Sequence, residues 1–233
     1  MCGQCGCDEP STAPSTAPKH QRLELHQRLL SRNDSQAAHN RAHFQAHGLN
    51  AVNLLSAPGS GKTALLEQLA RRWPRPPLGV IVGDLATDND ARRLLAAGAR
   101  AVQIRTGDLC HLDAALVHQA FEQLDCSGIT LLVIENVGNL VCPAAFDLGE
   151  SRRIAVLSVT DGEDKPLKYP ALFKSADAVV INKTDLAEAV GFDRHSAIAN
   201  LRAIAPQAEL FELSARTGSG IDALISWLND PTG

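Results

Sequence analysis

Residues 51–63 read AVNLLSAPGSGKT, an apolar run that breaks into a glycine-rich turn and then a lysine and a threonine. The run suits a buried strand, and the amphipathic stretch 63–72 that follows suits a helix. A strand that passes through Ser56-Ala57-Pro58-Gly59-Ser60-Gly61-Lys62-Thr63 into a helix is the context of a P-loop. Its glycines let backbone N–H groups turn inward around phosphate oxygens, and the helix N-terminus adds positive potential. Gly59, Ser60, Gly61, Lys62, Thr63 and Ala64 are therefore the candidate phosphate cradle. Lys62 is assigned to the terminal phosphates and the Thr63 hydroxyl to Mg²⁺. The usual pattern opens with glycine where this chain has Ser56.

Outward from the loop, apolar strands alternate with amphipathic helices. Strands are expected at 51–56, 78–83, 100–105, 130–137, 153–159, 178–182 and 209–213, and helices at 63–72, 90–97, 112–124, 195–204 and 220–228. That alternation predicts a three-layer α/β P-loop NTPase domain with a mostly parallel sheet, covering 51–233. Residues 19–50 form a preceding helical segment, with Gly48 as its stop. Residues 1–18 hold three cysteines and a DEPSTAPSTAPK stretch that continues to 19, a composition that makes a flexible, partly polyproline tether.

Composition narrows the function classes. The chain has 233 residues, 45% hydrophobic and 21% charged, which excludes a disordered chain and a coiled coil. Its formal net charge of −4 argues against a broad nucleic-acid surface. No run is long enough to span a membrane and no leader pattern opens the chain, so a soluble cytoplasmic protein is expected.

Later motifs choose the nucleotide. Glu135-Asn136-Val137-Gly138 closes one strand, placing a carboxylate on the Mg²⁺ side and a glycine near the γ-phosphate. Asp84 ends another strand, and Asp88 and Asp90 are the two candidates for orienting the attacking water. Asn182-Lys183-Thr184-Asp185 is the NKxD sequence that reads guanine. A carboxylate accepts from both N1–H and the N2 amino group of guanine, whereas adenine offers neither. Ser214-Ala215-Arg216 matches the loop whose amide contacts guanine O6. GTP and GDP are the expected ligands, with Lys62, Asp84 and Glu135 as the catalytic set.

Cysteine spacing points to metal. Cys2, Cys5 and Cys7 lie too close together for a useful disulfide and read as ligands or redox groups. His39, His43 and His47 recur every fourth residue and could bind a metal weakly from one helix face, but without a thiolate or carboxylate beside them the favoured reading is a solvated, somewhat basic helix. Cys126 is read as packing.

These residues together resemble the HypB family, P-loop GTPases of the SIMIBI class that help insert nickel into [NiFe]-hydrogenase. The matching stretches are the N-terminal MCGQCGC and residues 53–69, 83–91, 106–117, 134–149, 160–170, 181–186 and 213–220. IENVGNLVCP (134–143) and CHLDA (110–114) are the most specific of them. The resemblance implies a high-affinity nickel site at Cys2, Cys5 and Cys7. It also implies a second metal site at Cys110, His111 and Cys142, for nickel or zinc. A homodimer formed around nucleotide, a HypA-type accessory protein and the hydrogenase large subunit are the implied partners. Such a switch turns over slowly, on the order of 10⁻³ to 10⁻⁴ per second without an arginine finger. A urease-type nickel-insertion GTPase, a partitioning-type ATPase and a nonenzymatic metal buffer are the competing readings. The second of these lacks support, because it would not carry NKTD.

Overall fold

The computed structural model describes residues 19–75, 77–84, 89–107 and 109–230, with backbone alone for 19–26 and Asp84. Seven strands form one sheet: β1 (Asn50–Ser56), β2 (Gly79–Asp84), β3 (Arg100–Arg105), β4 (Leu131–Glu135), β5 (Arg152–Ser158), β6 (Ala178–Asn182) and β7 (Glu209–Glu212). Their order is β3-β2-β4-β1-β5-β6-β7, and every neighbouring pair is parallel. β4 and β6 are buried along their whole length, which is why they read as unbroken apolar runs. The helices are α1 (Lys19–Ala46), α2 (Lys62–Arg72), α3 (Asn89–Ala96), α4 (Ala114–Phe121), α5 (Lys165–Lys168), α6 (Pro170–Lys174), α7 (Arg194–Ile204) and α8 (Ile221–Asn229).

Alternation along each strand sends side chains to opposite faces. Val52, Leu54, Val80, Val82, Leu131, Val133, Val156 and Val180 pack on one face against Leu65, Leu66 and Leu69 of α2, Leu94 of α3 and Leu224 of α8. On the other face, Ile81, Leu132 and Ile134 meet Phe44 of α1 and Val117 and Phe121 of α4. Farther along that face, Leu157, Val179 and Ile181 meet Phe173 of α6 and Leu201 of α7. Each fully buried leucine of α2 contributes roughly 1.5–3 kcal/mol.

Elements fall where the alternation puts them, with ends displaced by at most three residues. Helix 112–124 contracts most, to Ala114–Phe121: the Asp113 side chain caps its start by accepting from the Leu116 N–H, and Gln123 and Leu124 turn back to the carbonyls three residues earlier at its end. α5 and α6 and the 3₁₀ turns were not anticipated. α1 docks through polar groups: Asn40 Nδ2 donates to the carbonyls of Ala114 and Leu148 at 2.7 and 3.0 Å. Asn33 donates to Asp147 O at 2.8 Å and accepts from Ala114 N at 2.9 Å.

β1 lies between β4 and β5, so the chain leaves it in opposite directions across the sheet. A crevice at the C-terminal ends of the strands on either side of such a point is where open α/β sheets bind ligands. Ser56, Asp84, Glu135, Ser158 and Asn182 all end their strands on that edge.

Candidate nucleotide and metal site

The loop between β1 and α2 is pinned from three sides. Gly61 adopts φ +92°, and a Cβ there would lie 2.7 Å from Asn182 Nδ2, so only glycine fits. Lys62 is buried, and its ammonium donates to Ser56 Oγ at 2.9 Å. The serine that departs from the usual opening glycine therefore holds the lysine at the floor of the loop. Ser60 Oγ donates to Asp161 Oδ2 at 3.1 Å, and Asp161 also caps the turn after β5 by accepting from Ser158 N.

A cleft of about 390 Å³ opens beside the loop, lined by Gly59, Lys62, Thr63, Ala64, Gly83, Asp90, Arg93, Glu135 and Gly138 among others. Thr63 Oγ1 donates to Glu135 Oε1 at 2.8 Å, while the buried Glu135 Oε2 has no hydrogen-bond partner among the described residues. Burial pushes the Glu135 carboxyl up to about 7, opposed by the nearby Lys62 ammonium and the Thr63 hydrogen bond. A hydroxyl beside an orphaned carboxylate oxygen is a donor set that fits Mg²⁺. Asp84 lies at the end of β2 on the same edge, but its side chain is outside the described residues. Asp88 is also outside them. Asp90 faces the cleft and accepts from Arg93 Nη1 at 3.2 Å.

The base side is assembled by Asn182. Its Nδ2 donates to Ser60 O at 2.9 Å and its Oδ1 accepts from Ala215 N at 3.0 Å, joining the phosphate loop to the 214–216 loop. Lys183 takes the left-handed conformation at φ +61°, and its ammonium donates to Gly59 O at 2.7 Å. Asp185 Oδ1 accepts from Ser214 Oγ, and Oδ2 from Arg216 Nε at 2.8 Å. Those bonds hold the Asp185 carboxyl below its usual range, the Ser214 hydrogen bond first among the causes. Arg216 Nη2 also lies 2.8 Å from Oδ2, so Oδ1 is the oxygen with a lone pair left for a base.

Cys110, His111 and Cys142 come together, with one ligand atom from each within 4.8 Å of the other two. The two thiols are half-buried, and His111 Nδ1 lies 3.6 Å from Cys110 Sγ. The imidazole stacks on Phe146 at 4.0 Å between centroids, and burial lowers its pKa. A hydrogen bond with Cys110 is the first cause raising the Cys142 thiol.

A family model described as the CobW/HypB/UreG nucleotide-binding domain matches residues 50–212. The hydrogenase maturation factor HypB of Azotobacter vinelandii is 52% identical over 215 residues, which are 91% of this chain and 70% of the relative. The chain belongs to the HypB family. Among solved structures, HypB from Helicobacter pylori in complex with nickel aligns with a TM-score of 0.81 and 39% identity, covering 84% of this chain and 93% of that one. HypB from Archaeoglobus fulgidus gives 0.79 and 41%, covering 85% and 98%.

Two connections in this HypB-family chain are not legible in its sequence. Asn136 is fully buried; its Oδ1 accepts from Leu112 N at 3.2 Å and its Nδ2 donates to Asn53 Oδ1 at 3.3 Å. The residue after Glu135 is thereby bonded to the residue after His111. Gly138 is pressed onto the loop: a Cβ there would lie 2.9 Å from Pro58 Cα. The segment that ends in Cys142 thus rests against the phosphate loop. Cys2, Cys5 and Cys7 lie outside the described residues.

Proposed function

We propose that this chain is a cytoplasmic GTP-hydrolysing nickel metallochaperone that couples nucleotide state to nickel delivery into the large subunit of [NiFe]-hydrogenase. The observation that carries this reading is the buried Asn136 side chain. It ties the strand end that presents Glu135 to the segment that presents Cys110 and His111. Among the described residues no helix is long and apolar enough to cross a membrane.

Guanine is read by Asp185, the loop amides wrap the phosphates, and Lys62 neutralises the charge that accumulates on the terminal phosphate. Water attacks the γ-phosphorus, a P–O bond to water forms, and the bond to the β,γ-bridging oxygen breaks, leaving GDP and phosphate. Thr63 and Glu135, with Asp84, are the residues that would hold Mg²⁺, whose chemistry there is to neutralise the β- and γ-phosphate oxygens. Asp90 is the described candidate for orienting the water, with Arg93 fixing its carboxylate. Movement of Gly138 against Pro58 reaches Cys142 four residues on, and movement of Asn136 reaches His111 through Leu112. The nickel cargo, or zinc in its place, is gripped by Cys110, His111 and Cys142, with Cys2, Cys5 and Cys7 as the tail's own nickel ligands.

A nucleotide-dependent homodimer closing over this metal face is part of the proposal. Val141 is 63% exposed and Leu109 47%, two large apolar side chains that flank Cys142 and Cys110. A HypA-type accessory protein and the hydrogenase large subunit complete the route by which nickel arrives and leaves.

The test is a nickel titration of the full chain lacking the tail ligand Cys2 (Cys2→Ala), with GDP and with a nonhydrolysable GTP analogue, repeated after Asn136→Ala. The expected result is an analogue-dependent change of at least about fivefold in affinity at the Cys110/His111/Cys142 set. It should come with a shift in oligomeric state and be lost in Asn136→Ala. Nickel affinity indifferent to nucleotide would return the chain to a plain metal buffer.

A further inference from the structure

We propose that His39, His43 and His118 form a further metal site, separate from both cysteine sites, that clips α1 to α4. His39 and His43 stand one turn apart on α1, and His118 faces them from α4. One imidazole nitrogen from each lies within 4.8 Å of the other two. Ring centroids are 5.1 Å apart for His39–His118, 5.8 Å for His43–His118 and 5.9 Å for His39–His43. The sequence reading of a solvated histidine face saw only α1; the third ring comes from a helix about 75 residues later.

The second observation is a pair of orphans. Nδ1 of His43 and Nδ1 of His118 are both buried, and neither has a hydrogen-bond partner among the described residues. Buried polar atoms are almost always partnered, so these two nitrogens, on rings 5.8 Å apart between centroids, stand out as available donors. Glu122 stands just beyond them, its carboxylate 3.5 Å from His43 Nδ1, an ionic contact that lacks hydrogen-bond geometry. It is placed to orient the ring or to complete the shell. Phe121 packs edge-on to His43 at 5.1 Å and shields one side. His47 is not part of the set, since its Nδ1 donates to His43 O at 2.9 Å.

Three imidazoles with a carboxylate or water in fourth place suit a borderline divalent ion such as Zn²⁺, Co²⁺ or Ni²⁺. Metal–nitrogen bonds of about 2.0–2.1 Å require the nitrogens to close to roughly 3.4 Å. The closure needed is at most about 1.4 Å, with His39 exposed and the other two rings half-buried. α1 follows directly on the segment that carries Cys2, Cys5 and Cys7, so an ion here fixes the helix from which the thiol-bearing tail departs.

The experiment uses the full chain with Cys2, Cys5, Cys7, Cys110 and Cys142 changed to alanine, titrated with Zn²⁺ or Co²⁺ alone. One ion per chain should bind, and at about a hundredfold excess over Kd the unfolding midpoint should rise by roughly 5–10 °C. His39→Ala in that background should weaken binding at least about tenfold, and His118→Gln likewise. Because His39 is exposed, its removal leaves the fold and GTP hydrolysis intact. Should the multiple variant fail to fold, His39→Ala in the wild-type chain should remove one equivalent of zinc and leave the rest. Binding and midpoint unchanged by His39→Ala, or lost only on His47→Ala, would overturn the site.

Discussion

The two ends of the crevice differ in how completely their polar groups are satisfied. On the guanine side, the fully buried Asn182 bonds Ser60, Lys183 and Ala215 at once, and Asp185 is held by Ser214 and Arg216. On the other side, Glu135 keeps one oxygen buried and unpartnered, two thiols face each other, and Val141 and Leu109 project into solvent. The first half is closed on itself by these hydrogen bonds. The second carries unmet demands that a cation, a γ-phosphate or a second chain would meet, so its equilibrium is the one that ligands can bias. A switch needs both: a fixed grip, and a region whose best conformation depends on what is bound.

Asp185→Asn attacks the fixed side and should have the largest effect. The new amide sets a donor against the guanine N1–H and N2 amino group, and GTP affinity should fall by about 10⁴. Xanthosine triphosphate, with a carbonyl at C2, should bind in its place. Competition binding with both nucleotides decides the matter; GTP affinity retained within tenfold would remove Asp185 from base recognition.

Glu135→Gln breaks the unsatisfied side, and its effect depends on pH. Burial raises this carboxyl to about 7, so in chelator the chain holds it neutral at pH 5 and must ionise it while buried above pH 7. Stability present at low pH is therefore lost as pH climbs through the raised value, by up to about 3 kcal/mol. Glutamine keeps an acceptor for Thr63 and has no charge to bury. The variant should unfold at a higher temperature than wild type at pH 8, with the gap closing toward pH 5, while GTP hydrolysis falls. Equal midpoints at pH 8 would show that the orphaned oxygen carries no penalty.

What could be read from the sequence follows the same division. The phosphate loop, NKTD and the parallel sheet were legible because each is encoded in contiguous residues with a fixed spacing. Cys110, His111 and Cys142 were named through family resemblance, and the structure brings them within reach of one another. Asn136 was quoted only as a neighbour of Glu135, since nothing local says that its carbonyl meets Leu112 N. The histidine face was read as solvent-exposed because His118 belongs to another helix. α5 and α6 escaped because four and five residues, each with a proline in its first two positions, are too few to display a helical period.

Asp113→Ala should have the smallest effect and separates the two ends most cleanly. Asp113 caps α4 two residues after His111, accepting from Leu116 N at 2.8 Å. Its loss removes one cap, worth about 1 kcal/mol, and frays the helix turn that follows the Cys110–His111 pair. Because the cap touches no residue of the phosphate loop or the 182–185 segment, GDP affinity should stay within twofold. Metal affinity at Cys110, His111 and Cys142 should drop several-fold, since those ligands would need to be ordered on binding. Measured side by side, equal losses of GDP and metal would mean that the crevice behaves as one rigid unit. Loss of metal alone would mean that the metal end is a separately adjustable element, held to the nucleotide end by Asn136 and Gly138.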